Sequence, residues 1–159
     1  ELNCNAGFHG RKGQLYEGGI RVPMIVNQPG RVPVQKLKNI VYFPDIMPTF
    51  AALAGGERAL PQGINGINIL PLFYGGKVDT DNRLLYWEFT GKQRAARRGD
   101  WKCVTVKPNR PLELYNLRED PEERNNLAGK YPEMVEQFDK EMKQMHKPTP
   151  NWPLPGETF

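Results

Sequence analysis

The sequence predicts an α+β protein in which a small four-stranded antiparallel sheet is packed by a C-terminal helix. Four short runs typical of strands are separated by turns of two to four residues, and such short connections favour antiparallel hairpins. The runs are residues 84–90, 94–98, 101–107 and 112–117. From Tyr131 to His146, apolar residues recur at helical spacing opposite a face of lysines and glutamates. We expect this helix to cover one face of the sheet.

The first half of the chain predicts one strand and one helix. Ile20–Val26 is a mainly apolar run that ends at a Pro-Gly turn, which is typical of a buried strand. Apolar residues recur at helical spacing over residues 46–53, and two glycines at 55–56 predict the end of that helix. We expect Asp45 to cap its N-terminus. The polar stretch at 77–83 predicts a boundary between two portions, residues 1–78 and 79–159.

The composition allows an anionic partner without requiring one. The net charge is +4 and the pI is about 9.1. Four basic residues lie around Trp101, and they are Arg94, Arg97, Arg98 and Lys102. Because no nucleic-acid motif accompanies them, we expect no nucleic-acid partner, and we expect these side chains to face water.

Membrane and metal binding have little support in the sequence. No apolar run approaches the length that spans a bilayer, so we expect no membrane partner. Neither Cys4 nor Cys103 has a second cysteine or a histidine nearby at metal-ligand spacing. Free thiols are the default for the two cysteines, and a single long-range disulfide between them stays open.

The candidate site is a basic, glycine-rich loop near the N-terminus. Residues 10–23 read GRKGQLYEGGIRVP. The glycines allow close approach of the backbone to a ligand, and Lys12 supplies a compact cation for an anionic oxygen. His9 lies three residues earlier and is a candidate substrate contact. Composition alone favours a glycine-rich surface turn, because most such loops only reverse the chain direction.

The order of several motifs resembles that of type I sulfatases, the arylsulfatase-like and formylglycine-dependent members of the alkaline-phosphatase-like superfamily. The lysine loop is similar to the family's sulfate-binding lysine segment, and residues 45–55 (DIMPTFAALAG) are similar to the helix that follows it. Residues 97–102 (RRGDWK) and 114–127 (LYNLREDPEERNNL) resemble the family's C-terminal subdomain. There, Asn116 replaces a common aspartate and is expected to keep a structural hydrogen bond. Within this stretch, residues 120–123 (DPEE) predict the start of a helix.

The resemblance implies a divided protein. Residues 1–78 would be a remnant of the large α/β catalytic domain, containing the lysine loop, a strand and a helix, and residues 79–159 would be the C-terminal subdomain. It also implies Lys12 as a sulfate-binding residue and His9 as a weaker substrate-binding candidate. The full-length enzyme would use calcium and formylglycine, act on a sulfated small molecule or glycan, and be periplasmic, secreted or lysosomal.

The resemblance further implies that this chain is inactive alone. The formylglycine motif, Cys/Ser-x-Pro-x-Arg, is absent around both cysteines, and no carboxylate cluster replaces the family's metal ligands, so we expect no metal site and no cofactor in this fragment. Glu17 is expected to fix the loop through backbone hydrogen bonds rather than to act in catalysis. Trp87, Glu88 and Arg97 are weak candidates for lining the substrate entrance.

Two alternatives stay open. The chain could be a fragment of a related phosphoesterase, or a non-catalytic module that binds an anionic polysaccharide or a partner chain. If it is a truncation, Ile20–Val26 and the helix at 46–53 should expose apolar surface, and self-association through that surface is expected.

Overall fold

The computed structural model describes residues 5–89, 93–107, 110–151, 153 and 156–158. These residues form two compact units, of which one runs up to Val22 and resumes at Leu84, and the other is Pro23–Arg83. Lys12 and the residues around it therefore belong to the same unit as the sheet. These two units do not test whether residues 1–78 come from a larger catalytic domain, so that assignment stays a prediction.

The first unit is built on the predicted antiparallel sheet, which is confirmed. Its strands are β1 (Leu85–Phe89), β2 (Gln93–Arg98), β3 (Trp101–Thr105) and β4 (Glu113–Asn116), and each pairs with the next in chain order. Lys102 on β3 lies opposite Arg97 on β2 and Tyr115 on β4. Thr90 and the turn residues at 91–92 and 108–109 lie outside the described residues.

The C-terminal helix covers one face of this sheet, as predicted. It runs from Pro132 to Met145, and its buried Phe138 and Met142 pack on Ala96 of β2, Cys103 of β3 and Leu114 of β4. These three residues share a face because side chains alternate along each strand. Burial raises the pKa of the Cys103 thiol to about 12, and the thiol is free.

The opposite face of the sheet is covered by the lysine segment. Leu15 and Tyr16 are buried against Ala95, Val104 and Tyr115, which point away from the C-terminal helix. Leu15 and Tyr16 therefore anchor the loop in a hydrophobic core, while residues 11–13 are exposed. Local sequence patterns do not predict this packing, because Leu15 and Tyr16 are about 80 residues or more from their partners in the chain.

Two predicted elements are wrong. Ile20 ends a short helix, α1 (Glu17–Ile20), and residues 21–28 form no strand, because an extended segment needs a neighbouring strand and none is present among the described residues. The stretch 120–123 is a turn, not a helix start. The Asp120 carboxylate accepts the Arg124 and Asn125 amides, and Glu123 has φ +53°, which a continuing right-handed helix does not permit.

The second unit contains the predicted helix at Ile46–Leu53 (α2) and a short helix at Leu70–Phe73 (α3). Gly55 ends α2 with φ +70°, and the amide of Gly56 donates to the Ala51 carbonyl, which is a Schellman ending. One further prediction is wrong here. Asp45 makes no side-chain cap to α2.

Asp45 instead serves as the polar centre of the second unit. Its fully buried carboxylate accepts the backbone amides of Tyr42 and Ile67 and forms a two-pronged ion pair with Arg83 at 2.5 and 2.6 Å. A buried carboxylate needs such partners because it has lost its hydration. Asp45 therefore ties together three segments of the unit, whereas an N-cap stabilises only one helix end.

The predicted exposure of apolar surface is confirmed. Val22 and Ile25 of the first apolar run are 60% and 91% exposed. On α2, Phe50 and Leu53 of the apolar stripe are 56% and 55% exposed. Unpartnered apolar side chains of this size are typical of a surface that another chain or segment covers.

Candidate functional site

The lysine loop is closed at its base by its own backbone. The carbonyl of His9 accepts the Gly18 amide at 2.7 Å, so that residues 9 to 18 form a closed loop with Lys12 near its tip. Glycine is required at this closure. A Cβ added to Gly18 would lie 2.6 Å from the His9 oxygen, and one added to Gly19 would lie 1.9 Å from the Gln14 oxygen.

The loop is also tied to the sheet. The Gln93 side chain accepts the Leu15 amide at 3.3 Å and donates to the Gly13 carbonyl at 2.8 Å. The hydroxyl of Tyr16 donates to Glu113 at 2.6 Å, and burial together with this carboxylate raises the pKa of the Tyr16 hydroxyl. These contacts hold the segment just after Lys12 against β2 and β4.

The two candidate site residues of the sequence analysis both point to solvent. Lys12 is exposed, and among the described residues its ammonium has no hydrogen bond or ion pair. His9 stacks on the Tyr16 ring at 3.8 Å, and its Nδ1 lies 3.1 Å from the carbonyl oxygen of Glu123. Since a carbonyl only accepts, Nδ1 donates in this contact.

A buried charge cluster lies beneath the loop. The ammonium of Lys102 is fully buried and lies 2.9 Å from Glu17 Oε1 and 2.8 Å from Glu123 Oε1. The other oxygen of Glu123 accepts the Glu17 amide at 2.6 Å. Arg21 and Arg97 approach the second Glu17 oxygen at 3.6 and 3.7 Å.

Burial governs the electrostatics of this cluster. It raises the pKa of the Glu123 carboxyl above its ordinary value, and the ion pair with Lys102 offsets part of that rise. Two carboxylates around one ammonium leave a negative excess, which the nearby guanidiniums of Arg21 and Arg97 reduce. The Glu17 carboxylate forms ion pairs with Lys102, Arg97 and Arg21 instead of the backbone hydrogen bonds that were expected for it.

The four basic residues around Trp101 form ion pairs with carboxylates. Arg94 and Arg98 pair with Asp139 and Glu141 of the C-terminal helix at 3.3 and 3.1 Å. Arg97 and Lys102 point to the opposite face and contact Glu17. The expectation that these four side chains face water is wrong, because both faces of the sheet are covered.

The weaker candidates are not gathered at one place. Trp87 packs in the core under the lysine segment, and Arg97 contacts Glu17 on the same face. Glu88 lies on the opposite face, where it contacts His146 at 2.5 Å. Asn116 keeps the expected structural hydrogen bond, since its side-chain oxygen accepts the Arg118 amide at 3.1 Å.

Sequence reasoning missed Lys102 and Glu123 as supports of the loop. A signal for Lys102 exists, because a lysine two residues before Val104 on one strand shares the face of that buried valine. Glu123 gives no such signal. Its burial depends on a left-handed backbone turn that the DPEE sequence does not reveal.

Within the described ranges, no group of three or more His, Cys, Asp or Glu side chains is arranged to hold a metal ion. The helices described here are all too short or too polar to cross a bilayer.

Comparison with known proteins places this geometry in a family. The family model described as N-sulphoglucosamine sulphohydrolase, C-terminal, matches residues 6–148. The chain is 29% identical to arylsulfatase K of Homo sapiens over 144 residues, covering 82% of this chain and 26% of the relative. It is 28% identical to N-acetylgalactosamine-6-O-sulfatase of Bacteroides thetaiotaomicron over 148 residues, covering 82% and 28%.

Solved structures agree with the sequence comparisons. A sulfatase associated with glycosaminoglycan metabolism by Bacteroides thetaiotaomicron superposes with a TM-score of 0.75 at 26% identity, over 88% of this chain and 32% of that one. Ps i-CgsB, in complex with a neocarrahexaose, gives 0.72 at 29% identity over 86% and 31%. The phosphonate monoester hydrolase of Agrobacterium radiobacter, at 20% identity and 0.52, shares the fold alone.

The chain belongs to the sulfatase family and corresponds to the C-terminal part of its members. Its relatives are sulfuric ester hydrolases by name. The chain spans about a quarter of the length of the curated relatives and about a third of the solved structures.

Proposed function

We propose that this chain is the C-terminal part of a sulfatase that hydrolyses sulfate esters, and that Lys12 is its sulfate-binding residue. The observation that supports this most directly is the contrast between Lys12 and its surroundings. The ammonium is exposed and has no partner among the described residues, while the loop that carries it is tied down on both sides. A cation held this way is suited to an anionic ligand.

Lys12 would act on the charge of the sulfate group. During cleavage of a sulfate ester, negative charge shifts among the sulfuryl oxygens and toward the departing oxygen. A fixed ammonium close to these oxygens stabilises that charge without reorganising, which lowers the barrier. His9, held through Nδ1, would present its other nitrogen to the substrate as a hydrogen-bonding group.

Calcium and formylglycine belong to this proposal as properties of the whole enzyme. When bound or formed, they supply a polarised nucleophile for attack on sulfur. The residues of this chain do not fit either group, because the described part has no suitable ligand cluster and neither cysteine begins a Cys-x-Pro-x-Arg sequence. We therefore expect the 159-residue chain alone to be inactive, and we assign its residues to substrate binding only.

For the substrate class we propose a sulfated glycan. Support comes from relatives whose names include an N-acetylgalactosamine-6-O-sulfatase and whose structures include one with a bound neocarrahexaose. We also propose a periplasmic, secreted or lysosomal location, in keeping with the family.

The test is turnover by the complete protein, with its formylglycine formed, after the substitution Lys12→Ala. We expect kcat/KM for 4-nitrophenyl sulfate and for a sulfated glycan fragment to fall by at least about 10²–10³-fold, the usual effect of removing one preorganised charge partner. The exposed Lys36 lies in the other unit, so Lys36→Ala is the matched control and should leave turnover unchanged. Near-normal activity of the Lys12 variant would overturn the assignment.

The same assay separates the alternatives. Faster turnover of 4-nitrophenyl phosphate or of a phosphonate ester than of the sulfate ester would favour a related phosphoesterase. Tight binding of a sulfated polysaccharide to the 159-residue chain, without turnover by the complete protein, would favour a non-catalytic module.

A further inference from the structure

The feature that the proposed function leaves unexplained is the placement of Glu123. Its side chain is fully buried, and its backbone has φ +53°, a conformation that side-chain-bearing residues rarely adopt. A strained residue of this kind persists only where its surroundings hold it, and such residues concentrate at functional sites. Glu123 lies in a turn after β4, more than 100 residues from the lysine loop in sequence.

Glu123 contacts both ends of the lysine loop. Its carbonyl accepts from His9, three residues before Lys12, at 3.1 Å. Its carboxylate accepts the amide of Glu17, five residues after Lys12, at 2.6 Å. The two contacts use different atoms of one residue, and both depend on the orientation that the left-handed backbone produces.

Lys102 makes the arrangement electrostatically tolerable. Its ammonium lies 2.8 Å from Glu123 and 2.9 Å from Glu17, so that one cation pairs with both buried carboxylates, and Arg21 and Arg97 reduce the remaining negative charge. The base of the loop is also closed directly by the bond from Gly18 to His9. The two ends of the loop are thus held by Lys102 of β3 and by the turn after β4 that contains Glu123.

We propose that Glu123 is a positioning residue for Lys12, which holds both ends of the lysine loop and so fixes where the ammonium stands. This inference rests on the proposed sulfate-binding role of Lys12. Transition-state stabilisation depends steeply on the position of a fixed charge, and a displacement of about 1 Å can cost on the order of 10²-fold in rate. A residue of the C-terminal subdomain therefore influences a reaction that it does not touch.

The test is a double-mutant cycle in the complete protein, with 4-nitrophenyl sulfate as the probe. Glu123→Ala is measured in the wild-type background and in the Lys12→Ala background. If Glu123 acts through Lys12, we expect kcat to fall on the order of 10²-fold in the first background and less than about 3-fold in the second. The dissociation constant for inorganic sulfate should show the same dependence on Lys12.

Controls separate positioning from stability. Glu119→Ala removes an exposed carboxylate in the same turn and should leave kcat unchanged. Glu123→Gly also removes the carboxylate and tolerates the positive φ, so it replaces Glu123→Ala if that variant does not fold. Thermal melting confirms that each variant is folded at the assay temperature.

The outcomes are distinct. An equal loss of kcat in both backgrounds would show that Glu123 has a general structural role, and it would overturn the positioning inference. Normal kcat in a folded Glu123 variant, when Lys12→Ala is inactive, would also overturn it. Near-normal turnover of Lys12→Ala itself would overturn the proposed function and this inference together.

Discussion

Replacing Lys102 by methionine tests whether the buried charge cluster holds the first unit together. The substitution keeps a long apolar stem but removes the only ammonium within 3 Å of Glu17 and Glu123 among the described residues. Both carboxylates then stay buried next to each other, and removing one partner of a buried ion pair costs about 3–5 kcal/mol. Because domains of this size have about 5–15 kcal/mol of stability in total, the loss is a large fraction.

The assay is urea unfolding of the 159-residue chain, followed by tryptophan fluorescence. We expect the free energy of unfolding to fall by about 3–5 kcal/mol in Lys102→Met, and by less than about 0.5 kcal/mol in the control Lys140→Met on the exposed side of the C-terminal helix. Adding Glu17→Gln and Glu123→Gln should restore more than half of the loss, because the uncompensated charges are then gone. A loss below about 1 kcal/mol in Lys102→Met would refute the reasoning.

Three further predictions follow from the same structure. Burial raises the pKa of Glu123 in the folded chain, so the unfolded chain loses this proton at lower pH, and the contribution of Glu123 to the free energy of unfolding should decrease as pH rises from about 4.5 through the folded pKa. Urea unfolding at a series of pH values measures this decrease, and Glu123→Gln should remove it. The same pH slope in the variant and the wild type would contradict the prediction. Gly19→Ala should destabilise the chain by at least about 1–3 kcal/mol, whereas Gly129→Ala, with nothing within 4 Å of the added Cβ, should be neutral in the same unfolding assay. The exposed Ile25 and Phe50 should make the chain associate and bind hydrophobic dye, and light scattering that shows a strict monomer with low dye binding would count against this.

The part of the fold that could be predicted depends on local pattern. The four strands and the C-terminal helix follow from turn spacing and from the periodicity of apolar residues, and each observed element lies within the predicted range or within one residue of it. The strand predicted at Ile20–Val26 was wrong because a strand depends on a partner segment as well as on local pattern. An apolar run can specify extended backbone, but pairing requires a neighbouring strand, and the described residues offer none.

The candidate site likewise contains some residues that local sequence predicts and others that it does not. Lys12 was predicted from a glycine-rich motif and His9 from its position three residues earlier, which are local signals; both residues are exposed, and their binding roles stay predictions. The residues that hold them were missed or given other roles. Glu123 was placed at a helix start and Lys102 on a solvated strand face, because nothing in the neighbouring sequence of either residue shows which distant segment covers it.

The sequence by itself determined the family, the order of the strands and helices, and the lysine that the proposed function uses. Only the tertiary structure decided that the lysine loop packs on the second face of the C-terminal sheet. It also brought Glu17, Lys102 and Glu123 into contact between the loop and the sheet. The physical reason is that ion pairs and core contacts join residues by distance in space, and here the partners are 85 and 106 residues apart in the chain. Propensity and periodicity extend over only a few residues, so they cannot report on such pairs.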